Sequence, residues 1–279
     1  MRLATPTRWL ASAPQRLDQH RLFILALVAL LAAYLGLGVY FALFGRINQD
    51  EGWYLYAARL VYRGDLPYHD FAFFQPPLVP YVYGIPQRLF GESLEVGRFT
   101  SLFLSLATVT LGMRQSYERA GRFAALIFGA AILLTPLVLW TFTTTRTEPL
   151  SAFLIMVSAF LLLREPPRPL ASAGALTAAV LAAATRATSV PVAALILIWV
   201  LYRHRSMGRR LVLVLLPGTV VAVAALSLVM ANFEAAWFNI VTVQAERRRR
   251  RLQTRGERHR TSDDGGCRVG GSRRCHVRA

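Results

Sequence analysis

The residues best suited to chemistry lie in one segment near the start of the chain. Asp50 and Glu51 are adjacent, and His69 and Asp70 follow in the same segment. A carboxylate near a membrane surface can take the proton of an acceptor hydroxyl, which is general-base catalysis. A plainer interpretation stays open, in which Asp50 caps a helix and Glu51 is an ordinary acidic residue of its first turn.

The apolar runs that must position these residues are too long for a water-soluble protein. Of the 279 residues, 54% are hydrophobic, and the excess is arranged in runs that approach the roughly 20 residues needed to cross a bilayer. These runs fall at 22–44, 94–113, 123–142, 150–163, 170–185, 191–202 and 211–231. We therefore predict an all-α, polytopic membrane helix bundle with about seven transmembrane helices. The first run is too long for the apolar region of a cleaved signal peptide, so we predict that it is a membrane anchor.

The arginines predict the orientation of this bundle, because short cytoplasmic loops are enriched in basic residues. With the N-terminus in the cytoplasm, 13 arginines up to residue 231 fall in inside segments and seven fall in outside segments. Residues 1–21 are then a cytoplasmic segment of an integral, multi-pass protein of the plasma (inner) membrane. Most acidic residues fall outside, a bias that membrane insertion does not explain and that indicates chemistry on the outer face.

The first outer loop, residues 46–93, contains a predicted amphipathic helix that lies in the membrane interface. Its sequence, DEGWYLYAARLVYRG, places Trp53, Leu60 and Val61 at helical spacing, and its aromatic residues suit the headgroup region. The apolar run 77–90 contains two prolines, so it predicts a re-entrant or interfacial segment.

The loop and the span after it resemble a family of membrane enzymes. The run NQDEGWYLYAARLVYRGDLPYHDFAFFQPPLVPYVYGIPQRLFG, followed by GRFTSLFLSL, is similar to the first outer loop and second span of the GT-C glycosyltransferases. The similarity is to the branch that contains protein O-mannosyltransferases and lipid A aminoarabinose transferases. It extends more weakly through TRTEPLSAFL and AAATRATSV. Residues 22–246 are accordingly predicted to be a GT-C-like transmembrane domain.

The resemblance implies a glycosyltransferase that moves a sugar from a polyprenyl-phosphate carrier to an acceptor hydroxyl of a glycan, lipid or protein. Asp50 would be the catalytic base, and Glu51 and Asp70 would orient acceptor or sugar hydroxyls. His69 and Gln75 complete the substrate-binding part predicted for this loop. The lipid-linked sugar is a substrate, and no cofactor is implied. No metal site is predicted, because no second His or Cys lies at metal-ligand spacing from His69.

Two arginines at the outer ends of predicted spans are candidates for binding the donor. Arg146 and Arg186 could each pair with a lipid phosphate and stabilise the charge of the leaving group. Arginine that extends from a helix end to the interface is the competing interpretation. Glu148 follows Arg146 closely, so it is either a partner of that arginine within the substrate site or the start of a helix with Pro149 in its first turn.

The C-terminal segment, 247–279, differs abruptly from the rest. It contains twelve arginines, three acidic residues and both cysteines, with almost no large apolar side chain. We predict that it is disordered. It could be an arm for anionic lipid or nucleic acid, a Cys/His metal module, or a sequence outside the native frame. The absence of a CxxC pair weakens the metal interpretation, and a basic tail outside opposes the positive-inside preference. The sequence thus favours a truncated or shifted end, without a nucleic-acid partner.

A different class of function stays open beside the transferase. The chain could be a non-enzymatic polytopic membrane protein, such as a transporter fragment, or an inactive truncated transferase. A transporter is expected to place ionisable residues in the middle of its spans, whereas the acidic residues here gather at the outer ends. This distribution favours the enzyme.

The predicted topology can be tested with fused reporters. A reporter placed after Arg63 should be on the outer side of the membrane, and one placed after Arg205 should be in the cytoplasm. Alkaline phosphatase and green fluorescent protein fusions measure the two sides independently. If both positions report the same side, the predicted topology is wrong.

Overall fold

A computed structural model of the protein describes residues 13–165, 168–243 and 245, so the tail predicted to be disordered, 247–279, lies outside the described residues. Within them the protein is all-helical, with one isolated β-bridge between Pro67 and Phe71. The α-helices are α1 (Ala13–Phe44), α2 (Gln49–Val61), α3 (Leu78–Phe90), α4 (Leu94–Leu133), α5 (Pro136–Thr143), α6 (Thr147–Leu162), α7 (Pro169–Thr185), α8 (Val190–Arg203), α9 (Leu211–Met230) and α10 (Phe233–Trp237). The all-α class predicted from the sequence is confirmed.

The helix boundaries follow the apolar runs closely in the second half of the chain. Each of the last four predicted runs is a single helix, α6 to α9, and no end differs from the prediction by more than three residues. The first helix differs more, because α1 begins at Ala13 inside the segment predicted to precede the membrane. Gln, Arg and Leu are good helix formers, so the helix continues beyond its apolar part.

Fewer helices qualify as membrane spans than the sequence predicted. By length and composition, three stretches of the described residues could cross a membrane: Gln19–Phe44, Leu94–Leu133 and Arg205–Met230. A fourth candidate is the pair α5 and α6, which is bent by 101° at the break between them. The count of about seven is not reached for two reasons. Helices α7 and α8, with 17 and 14 residues, are short for a full crossing, and the predicted spans 94–113 and 123–142 share helix α4, which is counted once.

Helix α4 is bent back on itself at Gly121. The backbone there has φ 83° and ψ −168°, which is outside the helical region. A Cβ atom on Gly112 would lie only 2.4 Å from the ring of Phe128. In a straight helix, residues this far apart in sequence would be separated by about 24 Å. The contact therefore requires two antiparallel arms, 94–120 and 122–133, of which the first contains the predicted span 94–113 and the second covers the beginning of the predicted span 123–142.

Close approaches at small residues hold the other helices together. Gly38 of α1 faces Leu102 of α4, and Gly218 of α9 faces Leu176 of α7. The Ser158 hydroxyl of α6 donates a hydrogen bond of 2.7 Å to a backbone carbonyl of α7. Such close approaches at small residues are typical of helix packing in membranes, where burial from water does not drive association.

The segment 46–93 forms a helical hairpin of α2 and α3, so the predicted helix in this loop is present. The run with two prolines, for which the sequence predicted a re-entrant or interfacial segment, is helix α3. Gly84 of α3 lets the ring of Tyr62 approach the backbone, and the Tyr62 hydroxyl donates to the Tyr81 carbonyl at 3.0 Å. The hairpin joins the bundle through a core of Tyr54, Phe73 and other buried residues.

Many large apolar side chains lie on the outside of the bundle. Only 11% of an apolar 18-residue window within Gln19–Phe44 is buried, and the same share holds for the window within Arg205–Met230. Continuous apolar surface of this extent requires an apolar medium around it. The exposed faces of α1 and α9 are therefore consistent with a membrane protein.

The reversal at Gly121 predicts a specific sensitivity to substitution. Gly121→Ala should lower the free energy of unfolding by about 1–3 kcal/mol, because alanine is strained at a φ of 83° although space is available. Gly36→Ala is the matched control, since its Cβ also meets no atom within 4 Å but the backbone is helical. Unfolding of both variants in mixed detergent micelles measures the difference. Equal effects would contradict the importance of the reversal.

Candidate functional site

The start of helix α2 is fixed by a reciprocal cap. The Asn48 side chain accepts a hydrogen bond of 3.1 Å from the Asp50 backbone N–H. The Glu51 side chain accepts one of 2.9 Å from the Asn48 backbone N–H, which completes a capping box. The cap residue is thus Asn48. The plainer interpretation of the sequence, in which Asp50 caps the helix, is wrong on this point. Asp50 remains available for other contacts.

Glu51 forms a buried ion pair with Arg98, which lies one turn into α4. The Arg98 Nε atom is 2.9 Å from Glu51 Oε1, and Nη2 is 2.8 Å from Oε2. The remaining N–H groups of Arg98 donate at 3.1 Å to the carbonyls of Ala42, Gly45 and Arg46 at the end of α1. All five donors of the guanidinium are used. One side chain therefore connects the end of α1, the start of α2 and the start of α4.

The carboxylate of Glu51 is held in its charged form although it has no exposed surface. Burial alone raises the pKa of a carboxyl group. Hydrogen bonds from Arg98, from the Asn48 N–H and from the Thr145 N–H, together with the charge of Arg98, outweigh burial and hold the pKa of Glu51 below its ordinary value. The contact with Thr145, 3.1 Å long, also attaches the link between α5 and α6 to the same carboxylate.

Asp50 lies beside this buried pair but is open to solvent, with 55% of its side chain exposed. Arg146 Nη2 lies 3.3 Å from Asp50 Oδ2, and Arg146 Nε lies 3.6 Å from Glu148 Oε2. Arg186 Nη1 lies 2.9 Å from the other Glu148 oxygen. We call Asp50, Arg146, Glu148 and Arg186 the Asp50 cluster. It brings together four predicted site residues from three separate parts of the sequence, with two positive and two negative charges.

Buried hydroxyl groups position the backbone that carries Arg146. The Tyr83 hydroxyl donates to the Arg146 carbonyl at 3.2 Å and lies 2.8 Å from the Ser101 hydroxyl oxygen. Tyr83 is fully buried, so these contacts are its means of satisfying the hydroxyl. Arg146 is thereby placed at the start of α6 with its guanidinium directed to the two carboxylates.

Tyr54, one turn after Asp50, is close enough to the Asp50 cluster to be affected by its charges. Burial, followed by the charges of Asp50 and Glu148, raises the pKa of Tyr54 to about 12, while the charges of Arg146 and Arg186 act in the opposite direction. The phenol is therefore protonated at neutral pH. It can donate a hydrogen bond to a ligand held at the cluster.

The other predicted loop residues lie in a tight turn and do not join the cluster. His69 Nδ1 is 2.7 Å from Asp70 Oδ1, and the other Asp70 oxygen accepts from the Leu66 N–H at 2.7 Å. The Leu66 hydrogen bond, followed by the one with His69, holds the pKa of Asp70 below its ordinary value. Gln75 accepts a hydrogen bond from the Tyr68 hydroxyl through its backbone carbonyl. Among the described residues, no ion pair connects His69 or Asp70 with Asp50.

Four contributors to the site were not singled out from the sequence: Asn48, Arg98, Tyr54 and Tyr83. Arg98 had a visible signal, since it is an arginine inside the apolar run 94–113 and such residues are rare without a partner. Tyr54 is recognisable from the sequence only as one of several interfacial aromatic residues. For Asn48 the signal was its place three residues before Glu51, which is the spacing of a capping box.

No group of three or more metal-ligating side chains occurs in the part of the chain that the structure describes. Comparisons of the chain with protein-family models, with curated proteins and with solved structures found no match.

The buried ion pair predicts unequal effects of two arginine substitutions. Arg98→Ala should lower the free energy of unfolding by about 3–5 kcal/mol, because it leaves the Glu51 carboxylate buried without its partner. Arg59→Ala, which removes an exposed pair with Glu92, should cost about 0–1 kcal/mol. Unfolding by denaturing detergent measures both values. A small effect at Arg98 would show that the pair does not hold the site.

The lowered pKa of Glu51 predicts a dependence of stability on pH. A carboxyl group with a lowered folded-state pKa contributes stability that is present above its ordinary pKa, 4.5, and is lost as the pH falls through its folded value. The advantage of the unsubstituted protein over Glu51→Gln should therefore be constant near neutral pH and shrink below about pH 4.5. Thermal unfolding from pH 7 to pH 3 measures it. An advantage that stays constant to pH 3 would contradict the assignment.

Proposed function

We propose that the protein is an integral-membrane glycosyltransferase that uses a polyprenyl-phosphate sugar and acts at the Asp50 cluster. The observation that carries the proposal is the juxtaposition of an exposed carboxylate, Asp50, with two arginines that share a second carboxylate, Glu148. A proton acceptor beside two guanidinium groups suits the transfer of a sugar from a phosphate leaving group to a hydroxyl. The resemblance of this loop to GT-C enzymes agrees with that chemistry.

The reaction is a direct displacement at the anomeric carbon of the sugar. The acceptor oxygen forms the new bond to this carbon while the bond to the phosphate oxygen breaks, and the configuration inverts. The acceptor proton passes to the Asp50 carboxylate. The electron pair of the broken bond leaves with the polyprenyl phosphate, whose charge the guanidinium groups of Arg146 and Arg186 stabilise.

Donor binding and base release are coupled in this proposal through Arg146. The Arg146 guanidinium contacts Asp50 at 3.3 Å and Glu148 at 3.6 Å, which are longer than ideal charged hydrogen bonds. A phosphate with two oxygens available competes well for a planar guanidinium. When Arg146 turns to the phosphate, the Asp50 carboxylate loses this contact and is free to accept the hydrogen bond of the acceptor hydroxyl.

Glu51 acts in this proposal by positioning and not by contact with substrate. Both of its oxygens already accept hydrogen bonds, and its side chain has no exposed surface. It holds the first turn of α2, and therefore Asp50, against the start of α6. His69, Asp70 and Gln75 belong to the proposal as residues that would contact the sugar or the acceptor if the turn closes on the cluster.

We also propose that the protein lies in the plasma (inner) membrane and crosses it about seven times, with its N-terminus in the cytoplasm. The reversal at Gly121 supports two crossings within 94–143, and the packing of α6 to α9 supports four more. The arginine distribution supports the orientation. The Asp50 cluster would then lie at the outer surface, where a lipid carrier delivers sugar without a nucleotide.

The base assignment is tested by Asp50→Asn in membranes that contain the full chain. Transfer of radiolabelled sugar from polyprenyl phosphate to acceptor should fall by about 100- to 10,000-fold, because the proton acceptor is lost. Asp65→Asn is the matched control, since it removes a carboxylate of the same loop outside the cluster. Unfolding should change by about 1 kcal/mol at most, because Asp50 is exposed. Transfer that is unchanged by Asp50→Asn, or undetectable in the unsubstituted protein, contradicts the proposal.

The phosphate assignment is tested by Arg186→Gln. Loss of a charged hydrogen bond to the donor phosphate should raise KM for the lipid-linked sugar by about 10- to 100-fold. Arg63→Gln removes an exposed arginine that has no ion pair among the described residues, and it should leave KM unchanged. If Arg186→Gln affects KM for the acceptor and not for the donor, the arginine binds a different substrate group.

A further inference from the structure

A second charged concavity lies at the end of the bundle opposite to the Asp50 cluster. We call it the Arg164 cleft; its volume is about 450 Å³, and it is lined by Arg114, Glu118, Arg119, Leu163, Arg164, Glu165 and Arg168. Arg114 is sixteen residues along α4 from Arg98, which corresponds to about 24 Å. The cleft therefore lies about one hydrocarbon thickness away from the proposed reaction site, where the first arm of α4 ends and α6 ends.

The cleft has more positive than negative charge. Arg114 pairs with Glu118 at 2.9 Å, and Arg119 pairs with Glu165 at 3.3 Å. Arg164 and Arg168 have no ion pair among the described residues. Four arginines and two glutamates leave a formal charge of +2 in a small concave space, which attracts an anion.

The arginines of the cleft are held in place by the bundle itself. The guanidinium carbons of Arg114 and Arg164 lie 5.0 Å and 4.9 Å from the centre of the Phe160 ring, and this ring is buried. Arg119 donates to the carbonyl of Leu163 at the end of α6. Two guanidinium groups thus lie beside one aromatic ring, where each is attracted to the ring and repelled by the other. A bound anion would reduce that repulsion.

We propose that the Arg164 cleft binds the phosphate headgroup of an anionic lipid. Its position at helix ends, on the side that the arginines predict to be cytoplasmic, places it at the depth of lipid headgroups. Basic pockets between membrane helices on that side suit such headgroups. Leu163, which lines the cleft and is 45% exposed, provides apolar surface for the adjoining acyl chain. The inference does not depend on the function proposed for the Asp50 cluster.

The proposal is tested by calorimetric titration of the full chain in uncharged detergent. The probes are dioctanoyl phosphatidylglycerol, dioctanoyl phosphatidylcholine and inorganic phosphate. Phosphatidylglycerol should bind and phosphatidylcholine should not, and the affinity should fall as salt is added. The double variant Arg164→Gln with Arg168→Gln should bind phosphatidylglycerol about 30-fold more weakly, because the loss of each surface arginine weakens binding by about 5-fold. Arg209→Gln with Arg210→Gln is the matched control, because it removes the same charge from exposed arginines that do not line the cleft.

Each outcome supports the proposal or overturns it. Weakening only in the Arg164 and Arg168 variant supports it, as does recovery of binding when both positions carry lysine, which restores the charge. The lysine variant also separates lost binding from lost folding. Equal weakening in both double variants would show non-specific attraction by net charge and overturn it. Inorganic phosphate that binds as tightly as phosphatidylglycerol would show that the cleft takes a free anion and not a lipid.

Discussion

The buried ion pair of Arg98 and Glu51 is the contact on which the rest of the described site depends. It connects α1, α2 and α4 and, through the Thr145 N–H, the link before α6. In a low-dielectric interior such a pair is stable only when all its polar atoms have partners. Arg98 meets that condition with five hydrogen bonds, and Glu51 does so with hydrogen bonds to both oxygens. The position of the first turn of α2 follows from it.

Two adjacent acidic residues have opposite environments because they lie on different faces of that turn. Successive residues of a helix point about 100° apart, so the side chain that faces the bundle and the one that faces solvent are neighbours in sequence. Glu51 is enclosed and holds structure, whereas Asp50 is open and contacts Arg146. Precise placement of an exposed group therefore comes from a buried neighbour that is itself inaccessible. A catalytic group needs this combination, since it must be both reachable and rigid.

The helices could be predicted from the sequence more fully than the site could. Apolar runs located α6 to α9 within three residues, because hydropathy limits where an apolar helix can lie. The arginines and glutamate at helix ends that the sequence predicts to be outer, Arg146, Glu148 and Arg186, were also predicted as site residues, and the structure brings them together with Asp50. The pairing of Glu51 with Arg98 was not predicted, because partners separated by 47 positions leave no spacing signal in one sequence.

The turn that contains His69 and Asp70 illustrates the opposite case, in which the sequence suggested a contact that the structure does not contain. Its residues suggested a place beside Asp50, but local hydrogen bonds within the turn are satisfied first. Short polar side chains readily bond to nearby backbone groups, and this competes with long-range contacts. The sequence shows the residue types, but it does not show whether a polar side chain bonds to a local or to a distant partner.

The unequal lengths of the helices have a consequence for the surrounding lipid. The apolar part of α1, Gln19–Phe44, is long enough to rise about 39 Å, whereas α8 rises only about 21 Å. On the proposed topology, in which both helices cross, α1 can tilt to match a hydrocarbon core of about 30 Å, whereas the bilayer beside α8 must thin. The protein would thus present a thick side and a thin side to the membrane. Lipids that reach the protein beside α8 would do so where the two leaflets are closest.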